Sequence, residues 1–159
     1  MRNRLAREPD LQRITGGRLE DMDFLSWTNM IKPTKIMVVE NNFRARSALA
    51  AFISLQAGLR VAAEASNGLE AIRKIQDSHP DVILMDMRMP GMDGLKATRI
   101  IKQRWPRVKV IALTMYRDYQ TEALSAGADA FLMKGISGEE LIATVHKILH
   151  SNTSAPPPS

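Results

Sequence analysis

Several short apolar runs of the chain end in residues whose side chains could take part in group-transfer chemistry. Glu40 and Asn41 follow the first run, Asp86 the third, Thr114 the fourth and Lys134 the fifth. A carboxylate can act as a nucleophile, and an ammonium or hydroxyl group can bind the oxygens of an anion. Taken alone, each of these residues is more often a solvated side chain at the end of a strand. The hypothesis of a functional site depends on all of them occurring at corresponding positions.

The apolar runs predict the elements that would hold these residues. Runs at 36–39, 61–65, 82–85, 108–113 and 130–133 are short enough to be buried strands, and helical patterns separate them. Strands that alternate with helices form a parallel sheet, because parallel strands need crossover connections. We therefore predict a doubly wound α/β fold, a five-stranded parallel sheet with helices on both faces. Ligands of such sheets bind beyond the carboxyl ends of the strands, where the strand order reverses.

Capping residues predict where two of the helices begin. Asn67 precedes Glu70, and Ser137 precedes Glu140, at the spacing of a capping box. The last helix then carries its apolar residues on one face: Leu141, Ile142, Val145, Ile148 and Leu149.

The two ends of the chain differ from this alternating region. Residues 1–34 are polar and lack a sustained period, which predicts a mostly disordered N-terminal extension. Met30 stands shortly before the first apolar run and is a second candidate for the start of translation. Residues 151–159 are rich in proline and serine, which is typical of a flexible tail. The predicted domain is 35–150, and no output domain is recognisable.

Composition limits the kinds of protein and of site. Apolar residues make up 45% and charged residues 25% of the chain, and no run is long enough to span a membrane. The N-terminus lacks the apolar centre of a secretory signal, so we predict a cytoplasmic protein without membrane contact. Cysteine is absent and the three histidines are scattered, so any metal must bind to oxygen atoms.

The net charge of +5 also permits a nucleic-acid-binding function. The densest basic run, at 99–109, contains a single aromatic residue, Trp105, and no helix-turn-helix or other binding motif accompanies it. Such a run is more typical of a solvated helix face. We therefore predict no direct contact with nucleic acid.

The sequence resembles a known family, the receiver domains of two-component response regulators. The most specific of the resembling segments is the second, because Pro90 and Gly94 follow Asp86 at the offsets that receivers show. The segments are Ile36-Met-Val-Val-Glu-Asn-Asn, Val82-Ile-Leu-Met-Asp-Met-Arg-Met-Pro-Gly-Met-Asp-Gly, Val110-Ile-Ala-Leu-Thr and Gly127-Ala-Asp-Ala-Phe-Leu-Met-Lys.

The resemblance implies a flavodoxin-like strand order of 2-1-3-4-5 and a signalling domain rather than an enzyme. It implies that a sensor histidine kinase or a phosphotransfer protein donates a phosphoryl group, with Mg²⁺ as cofactor, and that a downstream protein partner reads the result. A homodimer is left open. The implied roles are Asp86 as phosphoacceptor, Lys134 and Thr114 as ligands of the phosphoryl oxygens, Thr114 and Phe131 as switch residues, and Glu40, Asn41, Asp86 and the backbone carbonyl of Arg88 as metal ligands.

The chain departs from the family at the acidic pair. Glu40 and Asn41 replace the usual two aspartates, so one negative charge is lost and the other carboxylate gains a methylene. Because each unit charge near a metal ion contributes substantially to its binding, we predict that Mg²⁺ binds weakly. Gly135 stands where proline commonly follows the lysine, and Met115 is bulkier than the usual residue.

Alternatives remain open for the function of the domain and for the roles of two residues, Phe131 and Arg88. The acidic pair also fits a pseudo-receiver, an interaction module that works without phosphate. A flavin carrier of the same fold is disfavoured, because no phosphate-binding loop rich in Gly, Ser and Thr follows the first strand. Phe131 could be an ordinary core residue. The side chain of Arg88 could bind the phosphoryl oxygens or point to solvent.

Overall fold

The structure is a computed structural model that describes residues 32–151. The predicted N-terminal extension, the second candidate start at Met30 and the predicted C-terminal tail lie almost wholly outside this range. They stay predictions.

Strands and helices alternate along the described chain. The strands are β1 (Thr34–Val39), β2 (Leu59–Ala65), β3 (Val82–Asp86), β4 (Lys109–Thr114) and β5 (Ala130–Met133). The helices are α1 (Phe43–Ser54), α2 (Gly68–Ser78), α3 (Gly94–Arg104), α4 (Gln120–Ser125) and α5 (Gly138–His150), and a 3-10 turn, Arg117–Tyr119, precedes α4. All five predicted strands are present, although β1 and β2 begin two residues earlier than their apolar runs. Pairing of Thr34 with Leu59 extends both strands into less apolar sequence.

All strand pairs are parallel, and the order in the sheet is β2-β1-β3-β4-β5. The predicted fold class and strand order are therefore confirmed. The order reverses at β1, which pairs with β2 on one side and β3 on the other. The carboxyl ends of β1 and β3 consequently lie side by side, which brings the residues after them close together.

Two apolar cores form because successive strand residues point to opposite faces of the sheet. Ile36 and Val38 of β1 pack on the side of α1 and α5. Met37 and Val39 pack on the other side, which α2, α3 and α4 cover. Strand β3 is buried along its whole length, as expected for a strand covered on both faces.

Side-chain caps start four of the five described helices, α1, α2, α3 and α5. Asn67 Oδ1 accepts a hydrogen bond from Glu70 N at 2.9 Å, and Ser137 Oγ accepts one from Glu140 N at 3.1 Å, as their spacing predicted. Asn42 caps α1 in the same way, by accepting a hydrogen bond from Ala45 N. These caps satisfy backbone donors that have no partner within the helix.

The start of α3 lies directly against the end of β3. Gly94 N donates to Met87 O at 3.1 Å, and a Cβ atom at Gly94 would overlap the carbonyl oxygen of Asp86. Glycine is required here by this close approach of two backbone segments.

Within residues 32–151, no helix is long and apolar enough to cross a membrane.

Candidate functional site

A crevice of about 500 Å³ opens at the carboxyl ends of β1, β3 and β4 and just beyond β5. Because four strands end there, the side chains proposed from the sequence meet in one place. The lining residues are Glu40, Asn41, Asp86, Arg88, Met89, Pro90, Thr114, Met115, Tyr116 and Lys134.

Lys134 joins the two carboxylates of the crevice. Its Nζ atom lies 2.6 Å from Glu40 Oε2 and 3.0 Å from Asp86 Oδ2. The side chains of Glu40 and Asp86 are only 8% and 6% exposed, so water screens this arrangement weakly. The backbone of Lys134 is fixed as well, because its N–H donates to Thr114 O at 2.8 Å.

The other oxygen of each carboxylate accepts a hydrogen bond from the backbone. Asn42 N donates to Glu40 Oε1 and Arg88 N donates to Asp86 Oδ1, both at 3.2 Å. Each carboxylate is therefore held at both oxygens, by the ammonium group on one side and a backbone amide on the other. Such fixed geometry is what a nucleophile or a ligand-binding carboxylate requires.

The pKa values of the two carboxyl groups are shifted in opposite directions. Burial raises the pKa of Asp86, the Lys134 hydrogen bond opposes this, and the neighbouring Glu40 raises it further, so that it lies above its ordinary value. Burial also raises the pKa of Glu40, but hydrogen bonding with Lys134, Asp86 and Asn42 outweighs it and holds the pKa below its ordinary value. Glu40 is thus the more strongly ionised member of the pair.

The ammonium group is stabilised by the same contacts. Burial lowers the pKa of Lys134, but hydrogen bonds to Glu40 and Asp86 outweigh this and raise the pKa above its ordinary value. Lys134 therefore remains a cation across the neutral range.

Thr114 lies at the end of β4 with 1% of its surface exposed. Its Oγ1 atom accepts a hydrogen bond from Tyr116 N at 3.1 Å. A hydroxyl group that accepts one hydrogen bond can still donate its proton to another acceptor in the crevice.

Arg88 and Tyr116 meet at the mouth of the crevice. Arg88 is exposed, and its Cζ atom lies 5.0 Å from the centroid of the Tyr116 ring, a cation–π contact. This exposed position agrees better with a side chain that points to solvent than with one that binds the phosphoryl oxygens. The contact between Arg88 and the Tyr116 ring was not anticipated from the sequence.

Phe131 is partly buried in β5 and packs against the core shared by α2, α3 and α4. This packing agrees with an ordinary core residue, and its role as a switch stays a prediction. Gly135 has φ +91°, a backbone conformation that proline cannot adopt, so the loop after Lys134 follows a path specific to glycine.

The donors in the crevice fit a magnesium ion in type. They are the carboxylates of Glu40 and Asp86, the exposed amide of Asn41 and the carbonyl of Arg88, all of them oxygen donors. Mg²⁺ is commonly bound by one or two carboxylates and completes its shell with water or phosphate. Within residues 32–151 no three acidic, histidine or cysteine side chains are placed so that together they could hold a metal ion, and Lys134 already binds both carboxylates. These donors suit a weakly bound ion.

Arg46 is a further neighbour of the site that sequence reasoning missed. Its Nη1 atom donates to Glu40 O at 2.8 Å, and its Nε atom lies 3.7 Å from Glu64 Oε1. The contact fixes the backbone of Glu40 from the first turn of α1. No motif or spacing marks this arginine in the sequence.

Comparison with known proteins adds independent information. A family model described as the response regulator receiver domain matches residues 36–146. The chain is 39% identical over 112 residues to the protein of Bacillus subtilis (strain 168) named Uncharacterized transcriptional regulatory protein YhcZ, covering 69% of this chain and 52% of that protein. It is 36% identical over 126 residues to Transcriptional regulatory protein LnrK of the same organism, covering 78% of this chain and 57% of that protein.

A solved structure shares the fold. The DNA-binding response regulator of the LuxR family from Staphylococcus aureus superposes with a TM-score of 0.68 at 32% identity, covering 72% of this chain and 98% of that chain. The chain spans about half the length of the curated relatives it matches. The names of these relatives do not support the prediction that the chain makes no direct contact with nucleic acid, and are partly at odds with it.

Proposed function

The chain belongs to the response regulator receiver domain family, and on that premise we propose that it is a switch operated by phosphorylation of Asp86. The observation that carries this proposal is the contact of the Lys134 ammonium group with Asp86 Oδ2, at 3.0 Å, in a crevice that also contains Thr114. A buried carboxylate beside an ammonium and a hydroxyl group is suited to accept a phosphoryl group and then hold it.

The reaction is the attack of an Asp86 carboxylate oxygen on the phosphorus of a phosphohistidine. The bond from phosphorus to the imidazole nitrogen breaks, its electron pair stays on nitrogen, and the histidine takes up a proton. The product on Asp86 is an acyl phosphate. The raised pKa of Asp86, caused by burial and by Glu40, makes this carboxylate more basic than an exposed one.

Lys134 and Thr114 bind the transferred group in this proposal. Phosphoryl transfer depends on positioning and on neutralising the equatorial oxygens. The ammonium group of Lys134 ion-pairs with one of these oxygens, and the Thr114 hydroxyl donates to another. The backbone hydrogen bond from Lys134 N, just after β5, to Thr114 O, at the end of β4, holds the two residues side by side.

Mg²⁺ is the proposed cofactor, held weakly by the side chains of Glu40, Asn41 and Asp86 and by the Arg88 carbonyl. When bound, it supplies positive charge to the phosphoryl oxygens. Lys134 supplies charge of the same sign without the metal.

The signal is a change of surface that begins at Thr114. If its hydroxyl group turns toward the phosphoryl group, the hydrogen bond from Tyr116 N is lost, and the exposed side chains of Met115 and Tyr116 are released to move. Phe131 lies in the adjacent strand and is the proposed second switch residue. A partner protein would read the new surface.

The proposed donor is a sensor histidine kinase or a phosphotransfer protein in the cytoplasm. Response regulator receiver domains are signalling domains, and we propose no enzymatic turnover beyond assistance to this transfer. The matched relatives are named as transcriptional regulators, and we propose that the present chain also acts in transcriptional control.

A pseudo-receiver is the second candidate, and one observation favours it. Glu40 Oε2 is closer to the ammonium group of Lys134 than Asp86 is, and all four oxygens of the two carboxylates already accept hydrogen bonds. A crevice satisfied in this way could serve as a fixed structural feature of a binding surface.

Mass measurement after incubation with acetyl phosphate and Mg²⁺ separates the two. The wild type is expected to gain one phosphoryl group, and Asp86→Asn is expected to gain none. An equal gain in both proteins would remove Asp86 as the acceptor, and no gain in either would favour the pseudo-receiver.

A further inference from the structure

The positive charge of the chain is concentrated in one segment. Residues 1–31 contain five Lys and Arg residues and five Asp and Glu residues, so the net charge of +5 belongs to the rest of the chain. Residues 93–109, which include α3, the loop after it and the first residue of β4, carry six basic residues and one acidic residue. The basic residues are Lys96, Arg99, Lys102, Arg104, Arg107 and Lys109.

Ion pairs involve only two of these six side chains. Lys102 Nζ lies 3.0 Å from Asp129 Oδ2, and Lys109 Nζ lies 3.8 Å from Asp129 Oδ1, so one carboxylate serves two cations. The other four form no ion pair among the described residues, and all four are exposed. They are called here the α3 basic surface: Lys96, Arg99, Arg104 and Arg107.

Acidic residues of the neighbouring elements do not cancel this charge. Helices α2 and α4 pack against α3, and their segments, residues 68–81 and 117–129, hold six acidic and three basic residues. One of these acids, Glu70, is already paired with Lys74 at 2.7 Å. Together with residues 93–109, the three segments contain nine basic residues against seven acidic ones, so the region around α3 remains positive.

The four cations of the α3 basic surface follow the length of the helix. Lys96 and Arg99 are three residues apart and therefore lie on the same side of α3. Eight residues separate Lys96 from Arg104, about 12 Å at a rise of about 1.5 Å per residue. Phosphates of one strand of a duplex follow one another about every 3.4 Å along its axis, so this length matches about three or four phosphates. The buried residues of α3 are Gly94, Leu95, Ala97, Thr98 and Ile101.

The chemistry of this surface fits a nucleic acid better than a protein or a membrane. Of the residues that the structure describes, none of the large exposed apolar side chains belongs to α3 or to the loop after it. A protein partner is usually bound around an apolar centre, and a membrane-bound helix needs an apolar face. The phosphate backbone of a nucleic acid can be bound through charge alone, and arginine forms paired hydrogen bonds with phosphate oxygens.

We infer that the α3 basic surface binds the phosphate backbone of a nucleic acid without reading its base sequence. Arg99, Arg104 and Arg107 donate to phosphate oxygens, and Lys96 adds a fourth cation. The composition of this run favoured a solvated helix face, whereas the structure adds that the four cations are exposed, unpaired and spread along one helix. The inference goes beyond the proposed function and does not require phosphorylation of Asp86.

Fluorescence anisotropy of the full chain with a labelled DNA duplex of about 20 base pairs measures this binding. Contacts with about four phosphates should weaken the affinity about 100-fold between about 50 and 200 mM salt, because bound counterions are released on association. Polyglutamate of the same total charge is the competing probe and should displace the duplex poorly. An affinity that does not vary with salt, or displacement by polyglutamate as effective as by unlabelled duplex, would overturn the inference.

Two double variants locate the surface. Arg104→Gln with Arg107→Gln removes two of the four cations, so the loss of affinity over the same salt range should fall from about 100-fold to about tenfold. Arg44→Gln with Lys147→Gln removes two exposed cations from α1 and α5, on the other face of the sheet, and should keep the 100-fold loss. Equal changes in the two variants, or no change in the first, would refute the assignment. Neither readout requires phosphorylation, so failure of the proposed function would leave this test valid.

Discussion

The Oε2 atom of Glu40 lies 2.6 Å from the ammonium nitrogen of Lys134. The acidic residue after β1 therefore competes with Asp86, and with any group on Asp86, for the same cation. Shortening this side chain should weaken the competition.

The Glu40→Asp variant is expected to be phosphorylated on Asp86 faster than the wild type. Loss of a hydrogen bond between charged groups, about 1.5 to 3 kcal/mol, releases Lys134 toward Asp86, and a fraction of that energy corresponds to a severalfold faster rate. The rate with acetyl phosphate at saturating Mg²⁺, followed by mass, is the measurement. Glu40→Gln keeps the length and removes the charge, and so serves as the matched control. A slower reaction in Glu40→Asp would show that the Glu40–Lys134 contact assists the transfer.

Asn41→Asp is expected to bind Mg²⁺ more tightly. Asn41 lines the crevice and is exposed, so a carboxylate there adds one negative ligand without a large cost of burial. Titration with Mg²⁺, read by calorimetry, should give a dissociation constant lower by about tenfold for a gain near 1.4 kcal/mol. Gln103→Glu, at an exposed position of α3 outside the crevice lining, adds the same negative charge elsewhere and controls for net charge. Identical affinities in wild type and Asn41→Asp would mean that this side chain does not face the metal.

Arg88→Ala is expected to change the phosphorylation rate by less than about fivefold. The guanidinium group lies over the Tyr116 ring, and an exposed cation–π contact contributes about 0.5 to 1 kcal/mol. The rate should be compared at low and at saturating Mg²⁺, with Arg99→Ala, an exposed arginine of α3, as control. Slowing of tenfold or more that is restricted to low Mg²⁺ would show that Arg88 leaves the ring and binds the phosphoryl group.

Glu70→Gln is expected to lower the free energy of unfolding by about 0.5 to 1 kcal/mol at pH 7, a modest value because the side chain is 35% exposed. Hydrogen bonds from Lys74 and from Ser66 lower the pKa of Glu70 from 4.5 to about 2. A depressed pKa stabilises the fold above the unfolded value, and this stability is lost as the pH falls through the folded value.

The difference in stability between wild type and Glu70→Gln should therefore shrink between pH 4.5 and about 2. Urea unfolding at several pH values measures it, and Asp77→Asn, an exposed acid on the same helix, is the control. A difference that does not vary with pH would exclude the charge of Glu70 as its cause.

The sequence was sufficient for the sheet and for the composition of the crevice. Apolar runs such as that of β3 are buried on both faces, so their pattern is strong, and strand ends of a parallel sheet must meet at one edge. The positions of Glu40, Asp86 and Lys134 could therefore be predicted together.

Contacts that depend on side-chain rotamers were beyond sequence reasoning. The cation–π contact of Arg88 with Tyr116 joins two loops whose relative positions emerge only when β3 and β4 are packed. The hydrogen bond from Arg46 to the backbone of Glu40 likewise requires the angle at which α1 leaves β1. Neither relation has a fixed spacing along the chain.

The close approach of Gly94 to the carbonyl of Asp86 restricts how this protein can vary. Any side chain at position 94 would push α3 away from the end of β3 and tilt the residue proposed to carry the phosphoryl group. In a library randomised along α3 and selected for phosphorylation, glycine should persist at 94, while the exposed Lys96, two positions later, should tolerate many residues. Because there is no room for a Cβ atom at position 94, the first residue of α3 can vary far less than the third.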